Sequence, residues 1–252
     1  MNSNQPLYTY TLRLADNALV LGHRLSEWCS KAPFIEEDLA LTNIALDMIG
    51  RAQALLKYAA EIEGSGHSED DLAYRRPENH YYNFLIAEQA NGDFATSITR
   101  QLYISVYEYL VYSQLEKSRD TTLAAIASKA IKEIRYHYRH AAEWAVRLGD
   151  GTAESHARMQ KAVNDLWMYT GEMFEMDELD AGLMREGIAV DVTPLRSQWH
   201  ELIKGILNEA TLNVPDDGYM QTGSKQGVHS EHLGHILAEM QYLQRAYPDA
   251  RW

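Results

Sequence analysis

Residues 132–144, with the sequence KEIRYHYRHAAEW, carry side chains of the types that bind iron in carboxylate-rich helical bundles. These side chains are Glu133, His137, His140 and Glu143. A dinuclear iron site needs a Glu-x-x-His pair on each of two helices, because a three-residue step places carboxylate and imidazole on one helix face. Glu133 is followed three residues later by Tyr136, and His137 is preceded three residues earlier by Ile134. Neither register completes the pair.

Two other stretches with helical spacing offer no better match. Asp47 is followed three residues later by Gly50, and the neighbouring register pairs Met48 with Arg51. Arginine stays protonated at neutral pH and cannot bind a metal, and methionine suits soft metals rather than an oxygen-activating iron pair. The second stretch offers Glu108 as its one mid-helix acid. We therefore predict no catalytic residue and no metal bound by this chain, and we expect the polar residues to be paired in the interior or solvated.

Apolar residues spaced three and four apart predict four long helices. They span about residues 8–30, 34–63, 93–118 and 121–148. The long polar connection after the second helix, residues 64–84, is typical of a ferritin-like four-helix bundle. Three further helices are predicted over residues 153–176, 193–212 and 229–247. The prediction is an all-α fold, a single domain over residues 1–252 with a four-helix core at about 8–148 and flanking helices at about 152–246.

The composition narrows the classes of function. The net charge of −13, from 36 acidic and 23 basic residues, disfavours binding to nucleic acid and to anionic membranes. No apolar run reaches the ~20 residues needed to span a bilayer. Neither a P-loop, a Gly-x-Ser-x-Gly motif nor a dinucleotide-binding motif occurs in the sequence. The N-terminus lacks the features of a secretory signal, so we expect a cytoplasmic protein with its single Cys29 in the core.

Histidines near the C-terminus form a second candidate site. They are His229, His232 and His235, followed by Glu239. Such spacing can bind zinc, but no further cluster of ligands closes a tetrahedral site, so surface histidines are expected.

Clusters of arginine residues and of aromatic residues are compatible with a binding partner. The arginines are Arg75, Arg76, Arg135, Arg139 and Arg147. Solvated or salt-bridged surface is the expectation for them, with an anionic cofactor tail or an acidic partner as the alternative. The 16 Tyr and 5 Trp residues suit a large protein interface, where both types are enriched.

Four segments give the chain a resemblance to a known family. They are LALTNIALDMIGRAQALL, RYHYRHAAEWAVRLGDGTAESHARMQ, LWMYTGEMF and LAEMQYLQRAYPDARW. They resemble the structural C subunits of bacterial phenylacetyl-CoA epoxidases, and the resemblance covers essentially the whole chain. It implies a non-catalytic subunit of a multicomponent monooxygenase. In that complex a ferritin-like A subunit bears the dinuclear iron, and further subunits and a reductase complete the assembly.

The resemblance also implies that the incomplete motif is a relic. The suspected vestigial di-iron positions are Met48, Arg51, Glu108, Ile134 and His137. Two alternatives stay open. The chain is a di-iron oxygenase with unusual ligands from Glu108, Glu133, His137 and a carboxylate of the first two helices, or it is a freestanding helical protein that binds an acyl-CoA or a regulatory partner.

Overall fold

The computed structural model describes residues 4–248 and residue 250. Within these residues every regular element is helical, so the chain is all-α, which agrees with the predicted ferritin-like helical bundle. The α-helices are α1 (Gln5–Ser26), α2 (Ile35–Glu63), α3 (Glu69–Tyr74), α4 (Leu85–Glu88), α5 (Phe94–Leu115), α6 (Thr121–Gly149), α7 (Ala153–Trp167), α8 (Glu178–Arg185), α9 (Leu195–Glu209), α10 (Glu231–Met240) and α11 (Tyr242–Ala246). Among the described residues, no helix combines the length and apolar character needed to cross a bilayer.

The chain folds into two compact units. The first contains the chain up to Lys31, Asp38–Ala90 and the chain from Gly223 onwards, and the second contains Ala32–Glu37 and Asn91–Thr222. Helix α1 and most of α2 therefore belong to the first unit, and α5 and α6 belong to the second. The expectation of one domain with a four-helix core stays a prediction.

In the first unit, α1 and α2 approach each other closely at Gly22. A Cβ atom at this position would lie 3.0 Å from Ile49 Cγ1 and 3.3 Å from the Ala45 carbonyl oxygen. A side chain here would require the neighbouring atoms of α2 to move by a few tenths of an ångström, which glycine avoids. The buried residues of both helices are mostly apolar and belong to the hydrophobic core.

In the second unit, side-chain caps fix the starts of the long helices. The Asp93 carboxylate accepts from the Thr96 backbone N–H at the start of α5, and Asp120 accepts from the N–H groups of Thr122 and Leu123 at the start of α6. These bonds satisfy backbone donors that have no partner within the helix. The predicted start of the fourth helix is therefore confirmed, because α6 begins at Thr121. Helix α5 packs against α6, α7 and α9.

Other predicted boundaries are wrong. Helix α1 ends at Ser26 and is followed by a turn in which Ser30 has a left-handed backbone with φ +66°. Cys29 lies in this turn and is exposed, so the prediction of a core cysteine is wrong. The predicted fifth helix ends at Trp167, and its remainder forms a short 3₁₀ turn at Gly171–Phe174. Phe174 is buried in this turn, which explains why the sequence keeps its apolar spacing although the backbone is no longer α-helical.

Candidate functional site

Two of the suspected vestigial positions lie on α2, in the first unit. Met48 and Arg51 are both buried on the helix face that contacts the core. The Arg51 guanidinium carries a permanent positive charge and only N–H donors, so it repels a metal cation. The buried residues of α2 include no carboxylate and no imidazole. Helix α2 therefore does not fit its half of a dinuclear iron site.

The other three positions lie on α5 and α6, in the second unit. Glu108 on α5 and Ile134 and His137 on α6 are buried. Ile134 occupies the position three residues before His137, where the Glu-x-x-His pair requires a carboxylate. Its side chain is a hydrocarbon and offers no ligand atom. These three positions therefore supply one carboxylate and one imidazole.

The described part of the chain brings no metal-ligand cluster together. Among residues 4–248 and 250, no three His, Cys, Asp or Glu side chains form a group that could hold a metal ion. The dinuclear pattern needs about six such ligands. The alternative set built on Glu108, Glu133 and His137 therefore has no support in the geometry. That the five positions descend from iron ligands stays a prediction.

His140 has a different role from the one its sequence position suggests. Its Nε2 atom lies 2.8 Å from Glu37 Oε2, and both side chains are largely shielded from water. Its ring also lies 6.0 Å from the Tyr136 ring on the same helix. The imidazole and carboxylate thus hold the first turn of α2 against α6.

A buried histidine in the first unit corrects a second expectation. His229 was expected at the surface, but its side chain is almost fully buried against Glu88. Its Nδ1 atom lies 2.9 Å from Glu88 Oε2, and its Nε2 atom lies 2.8 Å from the Tyr81 carbonyl oxygen. Glu88 also accepts from the Ser230 backbone N–H at 2.6 Å and from the Asn83 side chain at 2.9 Å. His229 precedes α10 instead of lying on it, which separates it from the other two histidines.

The contacts of His229 favour its protonated form. A carboxylate and a carbonyl oxygen can only accept hydrogen bonds, so both ring nitrogens must donate. Burial alone lowers the pKa of His229, but the hydrogen bond and the charge of Glu88 and the bond to the Tyr81 carbonyl outweigh it and raise that pKa. The residue is therefore an imidazolium held by a buried carboxylate.

A second buried ion pair joins α1 to the connection after α3. The Arg76 guanidinium donates to both carboxylate oxygens of Asp16, with an Nη1 to Oδ2 distance of 3.0 Å. It also lies 4.2 Å from the centre of the Tyr81 ring. Arg76 is buried and paired with a buried carboxylate, so the expectation of a surface arginine is wrong.

Tyr81 and Gln241 link these two ion pairs to the C-terminal segment. The Gln241 side-chain amide donates to the Arg76 carbonyl oxygen and to the Tyr81 hydroxyl, both at 2.9 Å. Burial raises the pKa of Tyr81 to about 12, so the hydroxyl stays neutral. We call the set of Asp16, Arg76, Tyr81, Glu88, His229 and Gln241 the buried polar cluster. We interpret this cluster as structural, because the side chain of every member is shielded from solvent.

One signal for the buried polar cluster is present in the sequence. Asp16 lies in the middle of the apolar stripe of α1, where a carboxylate at a buried position requires a cation or several donors. The identity of the cation could not follow from that, since Arg76 is 60 residues away. The partner of His229 is 141 residues away in the chain.

Comparison with known proteins adds to this geometry. The sequence model of a family described as phenylacetic acid catabolic protein matches residues 1–252. The chain belongs to this family. It is also 52% identical over 246 residues to the C subunit of the 1,2-phenylacetyl-CoA epoxidase of Escherichia coli strain K12, and the match covers 98% of the chain and 99% of that relative. The family resemblance seen in the sequence is therefore confirmed.

The His229–Glu88 pair of this family member predicts a pH-dependent stability. A pKa raised by folding means that the pair stabilises the protein fully below the unfolded pKa of about 6.5 and that the gain is lost as pH rises through the folded pKa. We expect His229→Gln to lower the free energy of unfolding most near pH 6 and least near about pH 9. Urea unfolding of both proteins across this range measures the difference.

The matched control for this experiment is His235→Gln. His235 lies on α10, in the same unit and outside the buried polar cluster, and its replacement should change stability little at any pH. A deficit of the His229→Gln variant that is constant with pH would show that folding does not change the pKa of His229.

Proposed function

We propose that this chain is the non-catalytic structural subunit of a multicomponent phenylacetyl-CoA epoxidase, the enzyme that epoxidises the aromatic ring of phenylacetyl-CoA with oxygen during aerobic phenylacetate catabolism. The observation that carries the proposal is the 52% identity to the C subunit of such an enzyme over 98% of the chain. The proposed setting is the cytoplasm, and the proposed main partner is a ferritin-like catalytic A subunit. Further subunits and the reductase of the complex are proposed as additional partners.

The residues at the suspected vestigial positions support a non-catalytic role. Arg51 and Ile134 do not fit a dinuclear iron site, because one repels cations and the other has no ligand atom. We propose that this chain binds no cofactor and that the dinuclear iron lies in the catalytic subunit, where it supplies the oxygen chemistry. The contribution of this chain is then a folded surface that stabilises the catalytic subunit by burying part of it.

Iron content and reconstitution test this proposal together. The chain and the catalytic subunit are each purified alone from iron-replete cells, and iron per chain is measured by mass spectrometry. We expect about two irons in the catalytic subunit and essentially none in this chain. Epoxidation of phenylacetyl-CoA with the complete set of components should fall to background when this chain is left out.

Two outcomes would contradict the proposal. About two irons per chain in this protein would make it an iron oxygenase in its own right. Full epoxidation and full stability of the catalytic subunit without this chain would leave it as a freestanding protein, and direct titration with acyl-CoA would then be the next measurement.

A further inference from the structure

The outer face of α6 is cationic, although the chain as a whole is strongly acidic. Its exposed cations are Lys129, Lys132, Arg135, Arg139 and Arg147. They lie within about 120° of arc along roughly 27 Å of helix, at about 1.5 Å per residue. Glu143 is the exposed acid among them, and none of the five cations forms an ion pair with an acid of the described chain. With a net charge of −13 on the chain, this concentration of unneutralised cations favours an acidic ligand.

Large apolar side chains lie beside these cations. Phe34 is 52% exposed and Ile35 is 72% exposed, and Tyr136 on α6 is 37% exposed. Phe34 stacks on Trp144 of α6 with a ring-centroid distance of 5.9 Å and an interplanar angle of 24°. Exposed apolar groups of this size next to arginines have the composition of the centre of a protein interface.

The geometry holds these side chains in place before any partner binds. The Trp144 ring also contacts Phe94, edge to face, with a centroid distance of 5.1 Å. The Glu37–His140 pair ties the segment that carries Phe34 to α6. A surface that is already ordered loses less conformational entropy when a partner docks.

Two of the arginines are ordered by the same aromatic rings. The Arg139 guanidinium lies 5.8 Å from the centre of the Tyr136 ring, and the Arg147 guanidinium lies 5.3 Å from that of Trp144. A cation–π contact favours the position of each guanidinium beside its ring and still allows its N–H groups to donate to a carboxylate. We define a surface that we call the cationic α6 face. It consists of Phe34, Ile35, Lys132, Arg135, Tyr136, Arg139, Trp144 and Arg147.

We propose that the cationic α6 face is a docking surface for an acidic, carboxylate-rimmed apolar patch on the catalytic subunit of the epoxidase, an inference that rests on the proposed function. The apolar side chains would be covered by the partner, and the surrounding cations would pair with its carboxylates. A second copy of this chain is a poorer occupant. A symmetric dimer through this face would set arginines against arginines, because a two-fold interface presents the same patch on both sides.

Charge reversal tests the electrostatic part of the proposal. The double variant Arg135→Glu/Arg139→Glu is compared with Lys57→Glu/Lys204→Glu, which makes the same charge change at exposed lysines that do not belong to this face. Binding of each protein to the purified catalytic subunit is measured by titration at low salt and at about 0.15 M salt, where the Debye length is about 8 Å. We expect the first variant to bind at least about tenfold more weakly than the second, with a smaller salt dependence than the wild type.

A neutral variant tests the apolar part. Phe34→Ala is compared with Tyr219→Ala, since Tyr219 is another exposed aromatic residue of the same unit. Both side chains are more than half exposed to solvent, so both variants should fold, which circular dichroism checks. We expect weaker binding from Phe34→Ala alone.

The outcomes separate the docking surface from the function on which it rests. Wild-type binding that survives both test variants would overturn the docking surface and leave the subunit role intact. No binding by the wild type would overturn the proposed function and this inference with it. A wild-type homodimer that the charge reversal dissociates would also overturn the inference, because the occupant would be a second copy.

Discussion

Replacing Asp16 with alanine is expected to lower the free energy of unfolding by about 3–5 kcal/mol, because the substitution leaves the Arg76 guanidinium buried without its counter-charge. In the wild type the attraction of Asp16 outweighs burial and raises the pKa of Arg76. Without Asp16 the guanidinium still cannot escape the cost by losing its proton, because arginine stays protonated in proteins. The loss also removes the acceptor of the Tyr82 backbone N–H. Urea unfolding followed by circular dichroism measures the change.

A double variant distinguishes the charge from the packing. In Asp16→Ala/Arg76→Met both charges are absent and the buried volume is partly kept, so we expect it to be more stable than Asp16→Ala alone. A loss of less than about 1 kcal/mol in Asp16→Ala would show that water reaches the guanidinium, contrary to its burial in this structure.

The second large effect is expected at Gly149, the last residue of α6. A Cβ atom there would clash with the Ala210 carbonyl oxygen and would lie 2.8 Å from Ala210 Cβ. The carbonyl belongs to the backbone at the end of α9, so no side-chain rotation relieves the clash. We expect Gly149→Ala to lower the free energy of unfolding by roughly 3 kcal/mol, at the upper end of ordinary overpacking costs. Urea unfolding followed by circular dichroism measures this loss.

Gly205→Ala is the matched control for this variant. Gly205 lies within α9 and has no atom within 4 Å of an added Cβ. Alanine there removes the backbone entropy cost of a helical glycine, so we expect a gain of about 0.5–1 kcal/mol. Equal effects of the two substitutions on the unfolding midpoint would show that α6 and α9 do not approach each other at Ala210 as the structure has them.

The long helices could be predicted from the sequence because their signals are local. Apolar spacing and terminal residues such as Asp120 and Gly64 lie within the helix or next to it, and α2, α5 and α6 begin and end close to the predicted residues. Predictions failed where the same local apolar pattern is compatible with two different structures. The apolar residues after Trp167 are buried by a 3₁₀ turn instead of a helix, and Cys29 follows an apolar stripe but lies outside α1.

The sequence by itself determined the chemical character of the suspected vestigial positions. Arginine at 51 and isoleucine at 134 cannot bind iron in any fold, because a permanent cation and a hydrocarbon have no lone pair to donate. The tertiary structure decided which polar groups are buried together. Asp16 pairs with Arg76, and Glu88 pairs with His229, although the members of each pair are far apart in the chain. Spacing carries no information about such pairs, since burial and contact arise only when distant segments pack.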